Sequence, residues 1–242
     1  MSRLLVVMIV VLTWHVRATA QCPERDYDVQ AFSYGAIGVT RPALDSLNSF
    51  LTLRQSGSFG SQALALSVGS FLFVQRLYVG NDLRLSLWEN AESGSAQSSL
   101  LSGSLLLSIG TNLMAPQGPV SLYPYFCAGG ALTRLHIRGG SQSFNGEGAF
   151  GEHGEVIAWS PRIVVGGGAG VGYTMGSGEM IYTIGIRAGY HFDASQTTRW
   201  FSGTGRLSGG PDLFLGGPYI QAVFGIGRNS RYVNDDLWGS DE

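Results

Sequence analysis

The stretch from Arg162 to Asp193, RIVVGGGAGVGYTMGSGEMIYTIGIRAGYHFD, changes side-chain character with a period of two along both of its arms. In the first arm Val165, Ala169, Val171 and Tyr173 share one set of positions, and Gly166, Gly168, Gly170, Gly172 and Thr174 fill the other. In the second arm Tyr182, Ile184, Ile186, Ala188, Tyr190 and Phe192 alternate with Thr183, Gly185, Arg187, Gly189 and His191. Successive side chains of a strand point to opposite faces, so this stretch reads as a β-hairpin with one apolar face and one nearly bare face. A two-stranded hairpin is not stable alone in water, so the rest of the chain has to supply a sheet, and the apolar face has to meet either a core or lipid.

Six further segments repeat the pattern: residues 31–40, 61–72, 77–88, 98–111, 122–137 and 218–227. In the second of these Leu64, Leu66 and Val68 oppose Ala63, Ala65, Ser67 and Gly69; in the third Leu83, Leu85 and Leu87 oppose Asp82, Arg84 and Ser86. Between the first two, RPALDSLNSFLTLRQ places Leu44, Leu47 and Leu51 at helical spacing after Pro42, which predicts one short amphipathic helix within 42–54. A helix this short needs a surface to dock on, such as a barrel rim. Residues 89–97, 138–161 and 194–217 read as loops, the second of them rich in Gly, Ser and Glu. Eight strands result, with the longer connections falling on the whole at one end. An up-and-down transmembrane barrel has this asymmetry, and an even strand number lets the sheet close without an open edge.

The N-terminus gives the expected address. Arg3, an apolar run from Leu4 to Trp14 and Ala18-Thr19-Ala20 form a cleaved export signal over 1–20, with 21–227 as the barrel and 228–242 as a polar tail. Gln21 is not the small residue a lipoprotein signal needs before Cys22. Beyond the signal no run of about 18 apolar residues appears, so no transmembrane helix is indicated. Glycine supplies 36 of 242 residues and charged residues only 13%, too apolar for a disordered chain and too glycine-rich for a helical one. A net charge of −2 offers no field for nucleic acid. Cys127 falls in a strand far from Cys22 and reads as a small buried or lipid-facing hydrophobe rather than half of a disulfide.

The two faces decide the solvent. A soluble barrel needs a charged outer face, yet the second set of positions is mostly Gly, Ala and Ser. Small residues suit the inside of a narrow eight-stranded barrel, and the apolar set, with Tyr125, Tyr173, Tyr182, Tyr190 and Phe192 towards the strand ends, suits a lipid-facing band with aromatic girdles. In the fifth strand this puts Tyr125, Cys127, Ala131, Leu135 and Ile137 outside. With the LDSLNSFL segment, the VGSFLFVQRLYVGNDLRL hairpin and the final GGPYIQAVFGIG strand, the whole mature chain resembles the small eight-stranded bacterial outer-membrane β-barrel proteins. The resemblance implies an all-β, antiparallel, up-and-down transmembrane barrel in the bacterial outer membrane, in contact with outer-membrane lipids. Such proteins usually end on a terminal aromatic residue; here residues follow the last strand, and Phe224 resembles that signal only internally.

Candidate chemistry is sparse. Asp82, Arg84, Arg134 and Arg187 should point into the barrel, as a polar relay or, preferably, as a buried salt-bridge cluster tying strands together, because buried charges need partners. His136, His153 and His191 could seed a lipid-modifying hydrolase, but no local context selects a serine. Glu147, Glu152, His153 and Glu155 match no metal-binding spacing. Gly166 to Gly172 lacks the lysine and helix of a phosphate loop and is better explained as close backbone approach or inward-facing space. The expected role is therefore structural, binding or narrow-pore, without enzymatic activity, cofactor or metal, with 138–161 and 194–217 as the contact surface for an extracellular ligand or protein. The alternatives are a lipid-modifying barrel enzyme and a soluble lipocalin-like carrier of an apolar ligand.

Overall fold

A computed structural model describes residues 27–232 apart from 54, 95, 117, 139–154, 177–179, 196, 203–204 and 208–209. In chain order the described residues form β1 (Tyr27–Thr40), α1 (Asp45–Leu53), β2 (Ala63–Val74), β3 (Leu77–Leu87), β4 (Ala91–Ser93) and β5 (Ala96–Thr111). There follow β6 (Val120–Arg138), β7 (Glu155–Met175), β8 (Met180–Asp193), β9 (Trp200–Ser202), β10 (Gly205–Leu207) and β11 (Gly217–Tyr232). Each of the eight long strands pairs antiparallel with its neighbours, and β1 pairs with β11, which closes an up-and-down barrel.

The register fixes the barrel's shape. Paired residues followed around the wall from Gln30 lead through Phe73, Tyr78, Gly110, Tyr125, Gly168, Gly189 and Tyr219 to Thr40. The circuit thus returns to β1 ten residues beyond its start, a shear of ten. Ten residues of rise, about 33 Å, spread over eight inter-strand spacings of about 4.8 Å, tilts the strands by about 40°.

The outer face is apolar. Phe126 is 76% exposed, Leu107 65% and Ile163 60%, with Leu105, Ile109, Val171, Ile186, Ile220 and Phe224 exposed beside them. So large an apolar surface is foreign to a soluble monomer. Tyr182 and Phe192, both exposed on β8, lie ten residues apart, about 34 Å along the strand and about 26 Å along the axis at that tilt. That height matches the apolar band of a transmembrane barrel, with Tyr173 and Tyr182 at the short-turn end and Tyr190 and Phe192 towards the other.

The interior is filled in three layers. At the end of the short connections (75–76, 112–119 and 176–179), Phe32, Tyr34, Phe71, Phe73, Tyr78, Tyr123 and Tyr125 pack ring against ring. Polar side chains occupy the middle. At the opposite end Leu47 and Leu51, both fully buried, press α1 down onto Trp88, Leu100, Leu135, Trp200 and Leu213. Asn48 clamps the chain leaving the helix by accepting from Phe59 N (2.8 Å) and donating to Phe59 O (3.0 Å). The leucine face read from the sequence thus closes the mouth of the barrel.

Several expectations change in detail. Several strands are longer than the alternation suggested: β1 begins at Tyr27, β7 at Glu155, and β11 runs on to Tyr232, five residues into the expected tail. The tail residues 228–232 pair with 27–31, so the polar sequence is held by backbone bonds. The expected loops 89–97 and 194–217 contain β4, β9 and β10. In β6 the faces are reversed: Tyr125, Cys127, Ala131, Leu135 and Ile137 are buried inside, and Phe126 and Leu132 face out. Both faces of β6 carry large apolar residues, so apolarity alone could not tell them apart. The export signal at 1–20, Cys22 and residues 233–242 lie outside the described residues.

The inward glycines are seats for tyrosine. Gly168 and Gly189 are register partners, and a Cβ on them would lie 2.9 and 2.7 Å from the Tyr219 hydroxyl oxygen. On Gly189 it would also meet the Gly167 carbonyl. Gly189→Val should therefore destabilise the barrel by about 1–3 kcal/mol, read as a lowered midpoint of urea unfolding in lipid vesicles; an unchanged midpoint would contradict this packing.

Candidate functional site

The middle layer grows from β3. Its alternation turns Asp82 and Arg84 inward, and both are buried. Arg84 Nη2 donates to Asp82 Oδ2 at 2.9 Å and to Gln221 Oε1 at 3.1 Å, while Nη1 lies 3.2 Å from Nδ1 of His191. Tyr34 donates to the other Asp82 oxygen at 3.1 Å, and Gln221 Nε2 donates to Ser67 Oγ at 2.8 Å. The Arg84 guanidinium sits 4.5 Å over the Tyr219 ring, on which His191 also stacks at 4.3 Å, and the Tyr219 and Tyr125 hydroxyls are hydrogen-bonded to each other. A buried charge is tolerated only with partners, and this pair has them from β1, β8 and β11.

Arg187 is held differently. Its Nε donates to the Tyr123 hydroxyl at 3.1 Å, and its guanidinium lies 4.3 Å over Tyr34 and 5.1 Å over Phe71. Among the described residues no carboxylate forms an ion pair with it. The negative ring faces replace a counter-ion, a contact worth about 2 kcal/mol or more when desolvated. Tyr34 links the two centres, since its ring lies under Arg187 and its hydroxyl bonds Asp82. The expected salt-bridge cluster is thus one ion pair, Asp82–Arg84, beside one arginine caged by aromatic rings.

Arg134, expected in the same cluster, is elsewhere. It alternates with the buried Thr133 and Leu135, lies on the outer face of β6, and stacks 5.7 Å over Trp159, its register partner on β7. Its misplacement follows from the reversed faces of that strand. A second buried ion pair escaped the sequence reading. Arg162 and Asp193 meet at 2.8 Å, and Arg162 also donates to Leu213 O (2.7 Å) and Thr198 Oγ1 (3.0 Å). Asp193 in turn accepts from Ser195 N and Leu215 N, so the pair pins the segment after β8 across the barrel mouth. Both residues stand on the inward set of the hairpin that bears them, and that parity was the available signal.

Between the polar layer and the lid lies a cavity of about 30 Å³ lined by Thr40, Arg84, Ser86, Ser102, Ser104 and His191 among others. It is large enough for about two water molecules. Cys127 is free and buried. Of the histidines considered, His191 faces Arg84 and Tyr219, His136 on the outer face meets Glu155 at 2.7 Å, and His153 lies outside the described residues with Glu147 and Glu152. The Glu155 carboxyl, above the apolar band, is held below its usual range first by the hydrogen bond with His136 and then by Arg138. Among the described residues no three His, Cys, Asp or Glu side chains converge as a metal site.

An apolar outer belt, a polar and aromatic interior and a closed wall of eight tilted strands define a small β-barrel of the transmembrane type. The chain is similar in structure to Neisserial surface protein A, with 16% identity over 85% of this chain and 99% of that one and a TM-score of 0.41. It is similar to Ail, the attachment invasion locus protein of Yersinia pestis (10% identity, 86% and 100% covered, TM-score 0.40). A major outer membrane protein from Thermus thermophilus is a third (10% identity, 83% and 99% covered, TM-score 0.44). No family model and no curated relative matches the chain. With none of these three scores reaching 0.5, the barrel stands on its own register and faces.

Removing one partner of a buried ion pair strands the other charge. Asp82→Asn should destabilise by about 3–5 kcal/mol in vesicle unfolding, whereas the double variant Asp82→Asn with Arg84→Met should recover much of that loss. Equal losses in the two variants would show that the pair is not coupled.

Proposed function

We propose that this protein is an integral outer-membrane barrel with a structural or binding role, its wall anchored in lipid and its long-connection end presented as a contact surface. The observation that carries this reading is the pairing of an apolar outer belt about 26 Å tall with a lumen filled along its length. A lipocalin-like carrier would keep its apolar face inside around an open cavity; here the large apolar side chains outside are exposed, and aromatic rings, polar side chains and the α1 lid occupy the inside. An open channel fits no better, since the aromatic layer and the α1 lid stand at opposite ends of the polar layer. The lid end, built from α1, β4, the extended β6–β7 hairpin and β9–β10, is where the expected contact segments 138–161 and 194–217 emerge.

Full-length protein incorporated in a planar bilayer should show no stepwise conductance at moderate voltage. The same preparation should resist extraction from vesicles by alkaline carbonate. Discrete conductance steps would restore the pore reading, and complete release by carbonate would remove the membrane reading altogether.

A further inference from the structure

Above the barrel mouth the sheet does not stop where β8 does. β8 leaves β7 at the pair Val164–Asp193, and β9 takes over alongside β7 through the pair Trp159–Phe201, with β10 next to it. Register partners of an antiparallel sheet share a face, so Arg134, Trp159, Phe201 and Arg206 form one row across β6, β7, β9 and β10. That row is on the outer face: Trp159 is 39% and Phe201 38% exposed, and Arg206 is exposed, while Trp200 on the other side of β9 is buried under the lid.

The height of the row follows from the chain. Trp159 stands four residues beyond Ile163, about 10 Å further along the axis at the strand tilt, and Ile163 is ten residues beyond the girdle residue Tyr173. At Trp159 the row therefore sits about 10 Å above the top of the apolar band, at the level of the headgroups, and it slopes by about 3 Å from strand to strand because the strands are tilted. An arginine on the lipid side is costly at mid-depth and nearly free of penalty at this level. The charges here are not already matched. Glu155, two rows further out, is taken by His136 and Arg138, whereas among the described residues Arg134 and Arg206 have no ion pair, and Nε of Arg134 is buried without a hydrogen-bond partner. Trp159 holds the Arg134 guanidinium in place from one side, and among the described residues no acceptor meets its outer nitrogens, which are the donors a headgroup can reach.

We infer that Arg134, Trp159, Phe201 and Arg206 form a binding strip for the anionic phosphate headgroup of a lipid in the adjacent leaflet, in preference to a zwitterionic one. The guanidinium groups contact phosphate oxygens, and the two aromatic rings lie beside them at headgroup level. This inference rests on the membrane reading above and gives that reading a specific lipid chemistry.

The test uses the full chain in phosphatidylcholine vesicles carrying spin-labelled phosphatidic acid or, separately, spin-labelled phosphatidylcholine. The wild-type barrel should hold the phosphatidic acid label in its immobilised shell at least about fivefold over phosphatidylcholine, the factor that a single arginine–phosphate contact supplies. The double variant Arg134→Gln with Arg206→Gln should bring that preference to near unity. Arg76→Gln, which removes one positive charge from the exposed turn at the other end, should leave it intact. Equal shells for the two lipids, or a preference that survives the double variant, overturns the binding strip while leaving the barrel in its membrane. A chain that shows no immobilised lipid of either kind overturns the membrane reading itself, so the two failures are distinguishable.

Discussion

Eight strands closed with a shear of ten enclose a cylinder that has to be filled by side chains from its own wall. Everything else in the molecule follows from how that volume is occupied. A tilt of about 40° sets the height of the wall and brings inward residues of distant strands to one level. At the short-turn end tyrosine and phenylalanine rings occupy the space, and they fit because Gly69, Gly80 and Gly170 leave seats for Tyr34, Tyr78 and Tyr123. The rings in turn make Arg187 tolerable: without their faces, a buried guanidinium lacking a carboxylate would be prohibitively unstable. Asp82 and Arg84 then need only each other and their hydrogen-bond partners from the facing strands.

The outer surface answers the opposite requirement. In hydrocarbon no unpaired backbone group is tolerated, and the β1–β11 pairing, from Tyr27–Tyr232 to Thr40–Tyr219, removes the open edge. Side chains facing out are free to be large and apolar because nothing of the protein covers them. Where the sheet rises above that layer, charge returns at Arg134, Arg138, Glu155 and Arg206. The change from Ile163 to Trp159 to the Arg134 guanidinium beside it therefore records the passage from lipid to water along one side of the barrel.

Much of this was legible in the sequence. Period-two alternation gave the eight strands, the leucine spacing at 44, 47 and 51 gave the docked helix, and the glycines at 166–172 were read as close backbone approach or inward space, with Gly166 and Gly168 meeting neighbouring carbonyls and Gly170 facing the Tyr123 ring. What failed has a physical reason. Tyr123, Tyr125 and Cys127 share a strand with Phe126 and Leu132 on the other face, and a pattern of hydrophobicity carries no information on which apolar face looks inward. Arg134 was misplaced with them. β4, β9 and β10 are short segments held by pairing to a neighbour above the rim, so they lack an alternation long enough to read. The Arg162–Asp193 pair spans two strands, and only the register shows that the residues meet.

The central claim is that lipid lies outside and packed side chains inside, and a scan of single spin labels along 104–109 of β5 in lipid vesicles tests it directly, in a background where the cysteines are replaced by serine. Labels at Leu105, Leu107 and Ile109 should relax with oxygen dissolved in the bilayer and be shielded from a water-soluble nickel complex, while labels at Ser104, Leu106 and Ser108 should be shielded from both. Accessibility of the odd positions to the nickel complex, or the absence of a two-residue period, would contradict the account.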